Sequence, residues 1–433
     1  MSKDMQLDRS NIPPHGTPVH LAFEEPQREV LDNGLEVFLI DAGIENALRL
    51  DIVINAGSVF QDKKLTATSV GKLLKEGTNG YDSSKIAELI DNYGSYLDIS
   101  VTKDTATITL YVLSKHLKKL IPLIGKMLHE ATFPEEELKI HIDRKRQEFL
   151  VNSEKVRYKA MLEFNKLVFG ESSAYGQILD YKDFDLIDRN DLLRFYKDNY
   201  HPENAYVVVS GKISDEIVPM LNTYIGATWQ PNRNVILQVP GPGNIGIKEK
   251  YIEKPDAMQS AIRIGRPIFS KQHPDYNKFL LLNTVLGGYF GSRLMSNLRE
   301  DKGCTYGVHS FVTNYKHAGF FSVSTEVKAD ATEIAMREIM FELSRLQTEK
   351  IDDDELNRVK SYIYGTFLRT FDGPFALAER FKSAKDIGEG FAFYKKSLDE
   401  ILQVTAAELF ETANKYLNPE EMITLVVGKV NNS

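Results

Sequence analysis

Several features that often reveal a function are missing from this chain. It has one cysteine in 433 residues, Cys304, so no internal disulfide and no cysteine-based zinc finger can form. Its formal net charge is −8, which argues against nucleic-acid binding because phosphate contacts need clustered Lys and Arg. No run approaches the roughly 18 consecutive apolar residues of a membrane helix. We therefore expect no nucleic-acid and no membrane partner.

The first residues, "MSKDMQLDRSNIPPHGTPVH", contain no apolar core of the kind that a secretory signal peptide requires. We therefore expect a cytoplasmic protein, although a signal peptide that had already been removed would leave the same pattern. Two common nucleotide and hydrolase motifs are also absent, because the chain contains neither G-x-x-x-x-G-K-[ST] nor G-x-S-x-G.

Histidine spacing is unsuited to a helical zinc site. Such a site places two histidines four residues apart, as in H-E-x-x-H or H-x-x-E-H. None of the nine histidines has a partner at that spacing: His15, His20, His116, His129, His141, His201, His273, His309 and His317. We therefore predict surface or locally hydrogen-bonded histidines and no metal ligand in this chain.

What the chain does contain is an internal repeat. The segment "YKDNYHPENAYVVVSGK" ends the first half, and "ANKYLNPEEMITLVVGK" ends the chain. In each copy a helix is followed by a tyrosine, a proline, an apolar strand and Gly-Lys. Pro202 and Gly211 are spaced like Pro419 and Gly428, and the copies are offset by 217 residues (419 − 202). Such a repeat indicates a duplicated domain, although two unrelated domains with similar ends remain the alternative.

The repeat and the alternation of apolar residues predict an α+β protein of two homologous domains. Each domain would have a mostly antiparallel sheet with helices packed on one face. We place the N-terminal domain at 1–228, a Pro- and Gly-rich linker at 229–248, and the C-terminal domain at 249–433. Locally, Asn33-Gly34 predicts a hairpin, and "SSKIAELIDNYG" predicts a helix capped by Ser83 and ended by Gly94.

One segment of the second half combines two hydrogen-bond donors. In "LGGYFGSRLMSNLREDKGCTYGVHSFV", a glycine-rich turn precedes a helix with Leu294 and Leu298 on its buried side. Arg299 ends that helix, and Tyr306 is predicted near the start of the following strand. Both side chains are suitable donors to a substrate carbonyl or an oxyanion. The alternatives are an Arg that complements the helix dipole and a Tyr that packs in the sheet.

Taken together, the motifs resemble the pitrilysin/insulinase family of zinc peptidases, the inverzincins, in its short two-domain type. The resemblance runs from about Glu29 to Lys429. It depends on "VLDNGLEVFLI", "INAGS", "LLKEGT", "IAELIDNYGSYLDISVTKDTATITLYVLSKHL", "YHPENAYVVVSGKI" and "GSRLMSNLREDKGCTYGVHS". It implies two similar α+β domains, the first of which carries H-x-x-E-H in active members, with a glutamate ligand several dozen residues downstream.

By that resemblance the zinc motif of this chain is degenerate. Counting back from Gly77, the two histidine positions hold Thr68 and Lys72, and the position of the water-activating glutamate holds Gly71. The downstream carboxylate falls at Glu148 or the adjacent Gln147. The resemblance therefore implies no metal in this chain.

The resemblance also assigns a role to the retained pair. Arg299 and Tyr306 match the Arg/Tyr pair with which active members hold the substrate next to zinc. A chain that keeps the pair and lacks the zinc motif resembles the non-zinc subunit of a heterodimeric peptidase, inactive alone. Its partner would be a homologous subunit that carries H-x-x-E-H and zinc, and its substrate a peptide. The alternatives are a structural or assembly subunit and a peptide-binding protein without hydrolysis.

Overall fold

The computed structural model describes residues 24–231 and 248–429. The predicted linker at 229–248 lies almost entirely outside the described residues, as do His15 and His20. The domain boundaries at 228 and 249 therefore stay predictions. Within the described ranges, the two halves of the chain each form one main sheet with its own helical layer.

The first half contains a six-stranded sheet and a two-stranded ribbon. Its strands are β1 Gln27–Val30, β2 Glu36–Asp41, β3 Ala47–Ile54, β4 Gly77–Thr78, β5 Tyr81–Asp82, β6 Tyr96–Val101, β7 Ala106–Leu113 and β8 Ala205–Gly211. The sheet order is β1-β2-β8-β3-β7-β6, and β4 pairs with β5. Its helices are α1 Thr66–Leu73, α2 Ser83–Asn92, α3 Leu117–His129, α4 Glu135–Ser153, α5 Val156–Phe169, α6 Arg189–Asn199 and α7 Ile217–Leu221.

The second half contains a five-stranded sheet. Its strands are β9 Glu249–Glu253, β10 Gln259–Ile268, β11 Val308–Asn314, β12 Gly319–Lys328 and β13 Ile423–Gly428, in the order β11-β12-β10-β13-β9. Its helices are α8 Tyr276–Asn283, α9 Thr332–Thr348, α10 Asp353–Arg369, α11 Pro374–Lys385, α12 Ala392–Gln403 and α13 Ala406–Tyr416. Two π-helical segments, Thr284–Gly288 and Met295–Asp301, lie between α8 and β11.

Five strands of the first sheet, in the order β2-β8-β3-β7-β6, have the same topology as the second sheet, and β1 is an additional edge strand. In each half the last strand returns to the sheet and pairs in parallel with an early strand, β8 with β2 and β13 with β9. The other pairings in both sheets are antiparallel. The strands that follow Pro202 and Pro419 are these returning strands, β8 and β13. The predicted α+β class with two similar domains is confirmed.

Local sequence signals account for most element ends. Asn33-Gly34 forms the predicted hairpin, with Val30 paired to Glu36 and Gly34 at a φ of +85°. That left-handed conformation favours glycine. The predicted cap of α2 is one residue off, since Asp82 rather than Ser83 accepts the hydrogen bond from the backbone N–H of Lys85. Both residue types are good N-caps, so the composition alone could not choose between them.

The second face of each sheet is covered by the other half of the chain. Helix α5, from the first half, packs on β10 and β13 through a cluster that contains Phe164 and Phe320. Helix α11, from the second half, packs on β2 and β8 through a cluster that contains Phe38 and Phe381. Each sheet thus has its own helical layer on one face and a helix from the other half on part of the second face, an exchange that the sequence pattern did not indicate.

Candidate functional site: degenerate metal motif and retained Arg/Tyr pair

Helix α1 carries the three positions that the resemblance assigns to the zinc motif, and local partners occupy two of them. The Thr68 hydroxyl donates to the backbone carbonyl of Leu65 at 3.0 Å. The Lys72 ammonium lies 3.0 Å from a carboxylate oxygen of Glu76, one helical turn further along. A lysine ammonium has no lone pair to offer a metal, and it brings a positive charge to a ligand position.

The third position, Gly71, has no room for a longer side chain. It is buried, and a Cβ built on it would lie only 2.4 Å from Cγ2 of Val101 on β6. Val101 itself packs against the core of the first half. A glutamate at 71 would therefore collide with the edge strand of the sheet. The residues at 68, 71 and 72 do not fit a zinc ion.

The carboxylate that the resemblance places at 147 or 148 does not provide a metal site either. Gln147 and Glu148 are both exposed on α4. The Lys145 ammonium lies 2.7 Å from a Glu148 oxygen, and this hydrogen bond holds the pKa of Glu148 below its usual value. Across residues 24–231 and 248–429, no group of three or more His, Cys, Asp or Glu side chains is placed to hold a metal ion.

His141 on α4 differs from the surface or locally bonded histidine that was predicted. Its side chain is buried, and neither ring nitrogen has a hydrogen-bond partner. Burial, together with the charges of Lys145, Arg144 and Lys72, lowers the pKa of His141 to about 4. The histidine is therefore neutral at pH 7 and lies within the field of Lys72 of α1.

Arg299 lies near the end of the π-helical segment Met295–Asp301 and is exposed. Leu294 and Leu298 are fully buried, as predicted, and they fix this segment against the core of the second half. The Arg299 guanidinium carbon lies 4.9 Å from the centroid of the Phe290 ring. Its contact is thus an aromatic face, which leaves the five N–H donors unused.

Tyr306 is not in the strand to which the sequence assigned it. Strand β11 begins at Val308, and Tyr306 lies in the preceding loop with 92% of its side chain exposed. The cause is the anchoring of its neighbour Thr305. The Thr305 hydroxyl donates to the carbonyl of Glu326 at 2.7 Å and accepts from the N–H of Gly307 at 3.1 Å. The backbone is therefore held while the phenol projects into solvent.

Both donors are available for an external ligand. In the part of the chain that the structure describes, neither the Arg299 nor the Tyr306 side chain makes a hydrogen bond or an ion pair. No hydrogen bond joins the two to each other, or joins either of them to Thr68 or Lys72. An exposed guanidinium and an exposed phenol can donate to a peptide carbonyl or to the oxyanion that develops from it. The sequence did not predict that Phe290 contacts Arg299. Its only signal was its position as an aromatic residue within a glycine-rich turn.

Comparison with known proteins agrees with these observations. Residues 37–167 match the model described as insulinase, peptidase family M16, and residues 186–363 match the one described as peptidase M16 inactive domain. An uncharacterized zinc protease of Bacillus subtilis, YmxG, is 23% identical over 90% of this chain and 94% of its own. A probable mitochondrial-processing peptidase subunit beta of Arabidopsis thaliana is 21% identical over 95% of this chain and 80% of its own.

Solved structures show the same fold. The crystal structure of a peptidase M16 inactive domain from Pseudomonas fluorescens superposes with a TM-score of 0.86 at 21% identity, over 94% of this chain and 98% of that one. A protease from Helicobacter pylori gives 0.84 at 17% identity, over 93% and 99%. In the described residues no helix is both long and apolar enough to cross a membrane. The two model matches together span most of the chain, and it belongs to the insulinase family of peptidases, family M16.

Proposed function

We propose that this chain is the non-zinc subunit of a heterodimeric M16 metallopeptidase. A homologous partner with H-x-x-E-H would supply zinc and the glutamate that activates water. This chain would supply Arg299 and Tyr306 to the substrate carbonyl, together with half of the chamber around the peptide. It would be inactive alone.

The observation that carries the proposal is the contrast between the two motifs. The zinc positions of α1 are filled by a glycine against Val101 and by a lysine paired with Glu76. The Arg/Tyr pair is instead exposed on anchored backbone, and within the described residues it is not used for any internal hydrogen bond or ion pair. Because both side chains are exposed and not engaged internally, their donors can meet an external ligand. One relative is named a probable mitochondrial-processing peptidase subunit beta, and a subunit is part of an assembly.

The chemical role follows from the donor types. Water attack on a peptide carbonyl places negative charge on the carbonyl oxygen, and preorganised donors stabilise that charge. The guanidinium remains cationic at all physiological pH values, and the phenol adds a neutral donor. The residues of this chain would thus hold and polarise the carbonyl, while the partner would supply the nucleophile.

The test is reconstitution. This chain and a similar-sized chain with H-x-x-E-H from the same genome would be purified separately and together, and then assayed for bound zinc and for peptide hydrolysis. We expect zinc in the partner and hydrolysis only by the pair. Tyr306→Phe should lower turnover about 10²–10³-fold, the usual effect of losing one oxyanion donor. The matched control is Tyr251→Phe, because Tyr251 is also exposed but lies on β9, at the opposite edge of the same sheet.

Other outcomes would select the alternatives. A stable pair whose hydrolysis is unchanged by Tyr306→Phe and by Arg299→Gln would identify an assembly subunit. Peptide binding by the pair without hydrolysis would identify a peptide-binding protein. Zinc-dependent hydrolysis by this chain alone would overturn the proposal.

A further inference from the structure

The glycine-rich turn before Arg299 is held at both of its ends. A Cβ on Gly287 would lie 2.6 Å from the backbone nitrogen of Ser310 on β11, so only glycine allows this close approach. Tyr289 packs on Tyr362 of α10, with ring centroids 5.0 Å apart, and Ser292 is buried. The turn is therefore fixed between β11 and α10.

Phe290 differs from the other aromatic residue of this turn. Tyr289 is half-buried against Tyr362, but 61% of Phe290 is exposed, and the Arg299 guanidinium carbon lies 4.9 Å from its ring centroid. A phenylalanine usually buries its ring. An exposed ring on a turn that the fold holds at both ends can restrict the motion of a cation that lies over it.

We propose that Phe290 is a positioning residue for Arg299, a role that depends on the proposed function of the Arg/Tyr pair. Arginine has a long side chain with many rotamers, which must be restricted before its donors can meet a substrate carbonyl. An aromatic face restricts the guanidinium without occupying its N–H groups. A carboxylate partner would restrict it equally well but would neutralise the charge and occupy the donors. The Phe290 ring thus preorganises Arg299 and keeps it available.

The geometry can be tested on this chain alone, without a partner subunit. A guanidinium over an aromatic ring shows a ring-current shift of its Nε–H resonance in a ¹H–¹⁵N spectrum, and Arg299→Lys would assign that resonance. We expect Phe290→Leu to remove the shift and Phe290→Tyr to keep it. The control is Phe341→Leu, because Phe341 is an exposed phenylalanine of α9 in the same half. An Arg299 shift that survives Phe290→Leu would overturn the proposal.

The functional arm uses the reconstituted pair. Phe290→Leu should lower kcat/KM about two- to fivefold, the range expected from a cation–π contact at an exposed site. Phe290→Tyr, which keeps an aromatic ring at this position, should have the kcat/KM of the wild type. In an Arg299→Gln background, Phe290→Leu should have no further effect, because Phe290 acts only through the guanidinium. Thermal unfolding should be the same for all Phe290 variants.

The outcomes separate this inference from the proposed function. Loss of activity with Tyr306→Phe and Arg299→Gln, but not with Phe290→Leu, overturns only the positioning role. No loss with any of the three overturns the proposed function, while the ring-current shift still reports on the contact. A Phe290→Leu effect that persists in the Arg299→Gln background would show that Phe290 touches the substrate directly, contrary to the proposal.

Discussion

The two halves of this chain share a five-strand topology and differ in the state of their candidate sites. In the first half the positions that the resemblance assigns to a zinc motif are closed, because Val101 packs against Gly71 and Lys72 pairs with Glu76. In the second half Arg299 and Tyr306 remain exposed on backbone that the fold holds in place. The difference illustrates that one topology can carry chemically different surfaces, since site chemistry depends on few side chains.

The halves also differ in how their crossed helices are attached. Helix α5 is attached to the second sheet through aromatic contacts such as Phe164 with Phe320, and through a partly exposed ion pair between Glu163 and Lys250 of β9. Helix α11 has an ion cluster with a fully buried carboxylate, in which Arg49 and Asp51 of β3 meet Glu379 and Lys382. The Asp51 carboxylate is fully buried and lies 2.9 Å from the Arg49 side chain and 3.3 Å from Lys382.

The largest expected effect comes from breaking that cluster. Asp51→Asn keeps the shape but removes the buried counter-charge of Arg49, which then has only the 48% exposed Glu379 as an anionic partner. Loss of one partner of a buried pair typically lowers the free energy of unfolding by about 3–5 kcal/mol, which urea unfolding would measure. Glu379→Gln is the control, because Glu379 is 48% exposed and its loss should cost about 1 kcal/mol or less. Equal effects of the two substitutions would contradict a buried origin for the stabilisation.

A smaller effect is expected from the buried His141 in the first half. Its pKa is about 4 in the folded chain and about 6.5 when unfolded. As the pH falls below 6.5, the unfolded chain binds a proton that the folded chain does not bind, so the free energy of unfolding decreases until about pH 4. The maximum decrease is about 3 kcal/mol. His141→Leu should remove this component of acid destabilisation.

The measurement is the difference in urea midpoint between pH 7 and pH 4.5 for the wild type, His141→Leu and the control His309→Gln. His309 is exposed on β11, so its substitution should leave the pH dependence as it is. Lys145, Arg144, Lys72 and Glu148 surround His141 and are unchanged in all three proteins. An equal loss of stability at pH 4.5 in the wild type and both variants would show that His141 does not cause the acid sensitivity.

The smallest effect concerns the closed zinc motif. Gly71→Ala places a Cβ against Val101. The overpacking should lower the free energy of unfolding by about 1–3 kcal/mol, while the higher helix propensity of alanine should raise it by about 1 kcal/mol. We expect a net loss of about 1 kcal/mol in the free energy of unfolding, part of which Val101→Ala should restore. The matched control is Gly365→Ala in α10 of the second half, where nothing lies within 4 Å of the new Cβ. That substitution should stabilise the protein, and stabilisation by Gly71→Ala as well would mean that the motif is not closed by Val101.

Local patterns predicted local structure well. The Asn33-Gly34 hairpin, the buried Leu294 and Leu298, and the two returning strands after Pro202 and Pro419 all depend on turn chemistry or on apolar periodicity. Errors arose where contacts between distant segments decided the outcome. Tyr306 lies outside β11 because Thr305 is bound to Glu326 on a neighbouring strand, a contact 21 residues away in sequence.

The sequence by itself determined that the chain has two α+β halves, that α1 has Thr68, Gly71 and Lys72 where the resemblance expects H-x-x-E-H, and that the second half contains Arg299 and Tyr306 seven residues apart. Side-chain type and spacing are sufficient for each of these. Only the tertiary structure decided that α5 packs on the second sheet and α11 on the first. It also decided that Val101 fills the space beside Gly71 and that the Arg299 guanidinium lies over the Phe290 ring. The reason is physical: the first two features join segments distant in sequence, and no local pattern records which side chains meet when the sheets close. Phe290 and Arg299 are nearer in sequence, but the path of the folded turn between them decides that they meet.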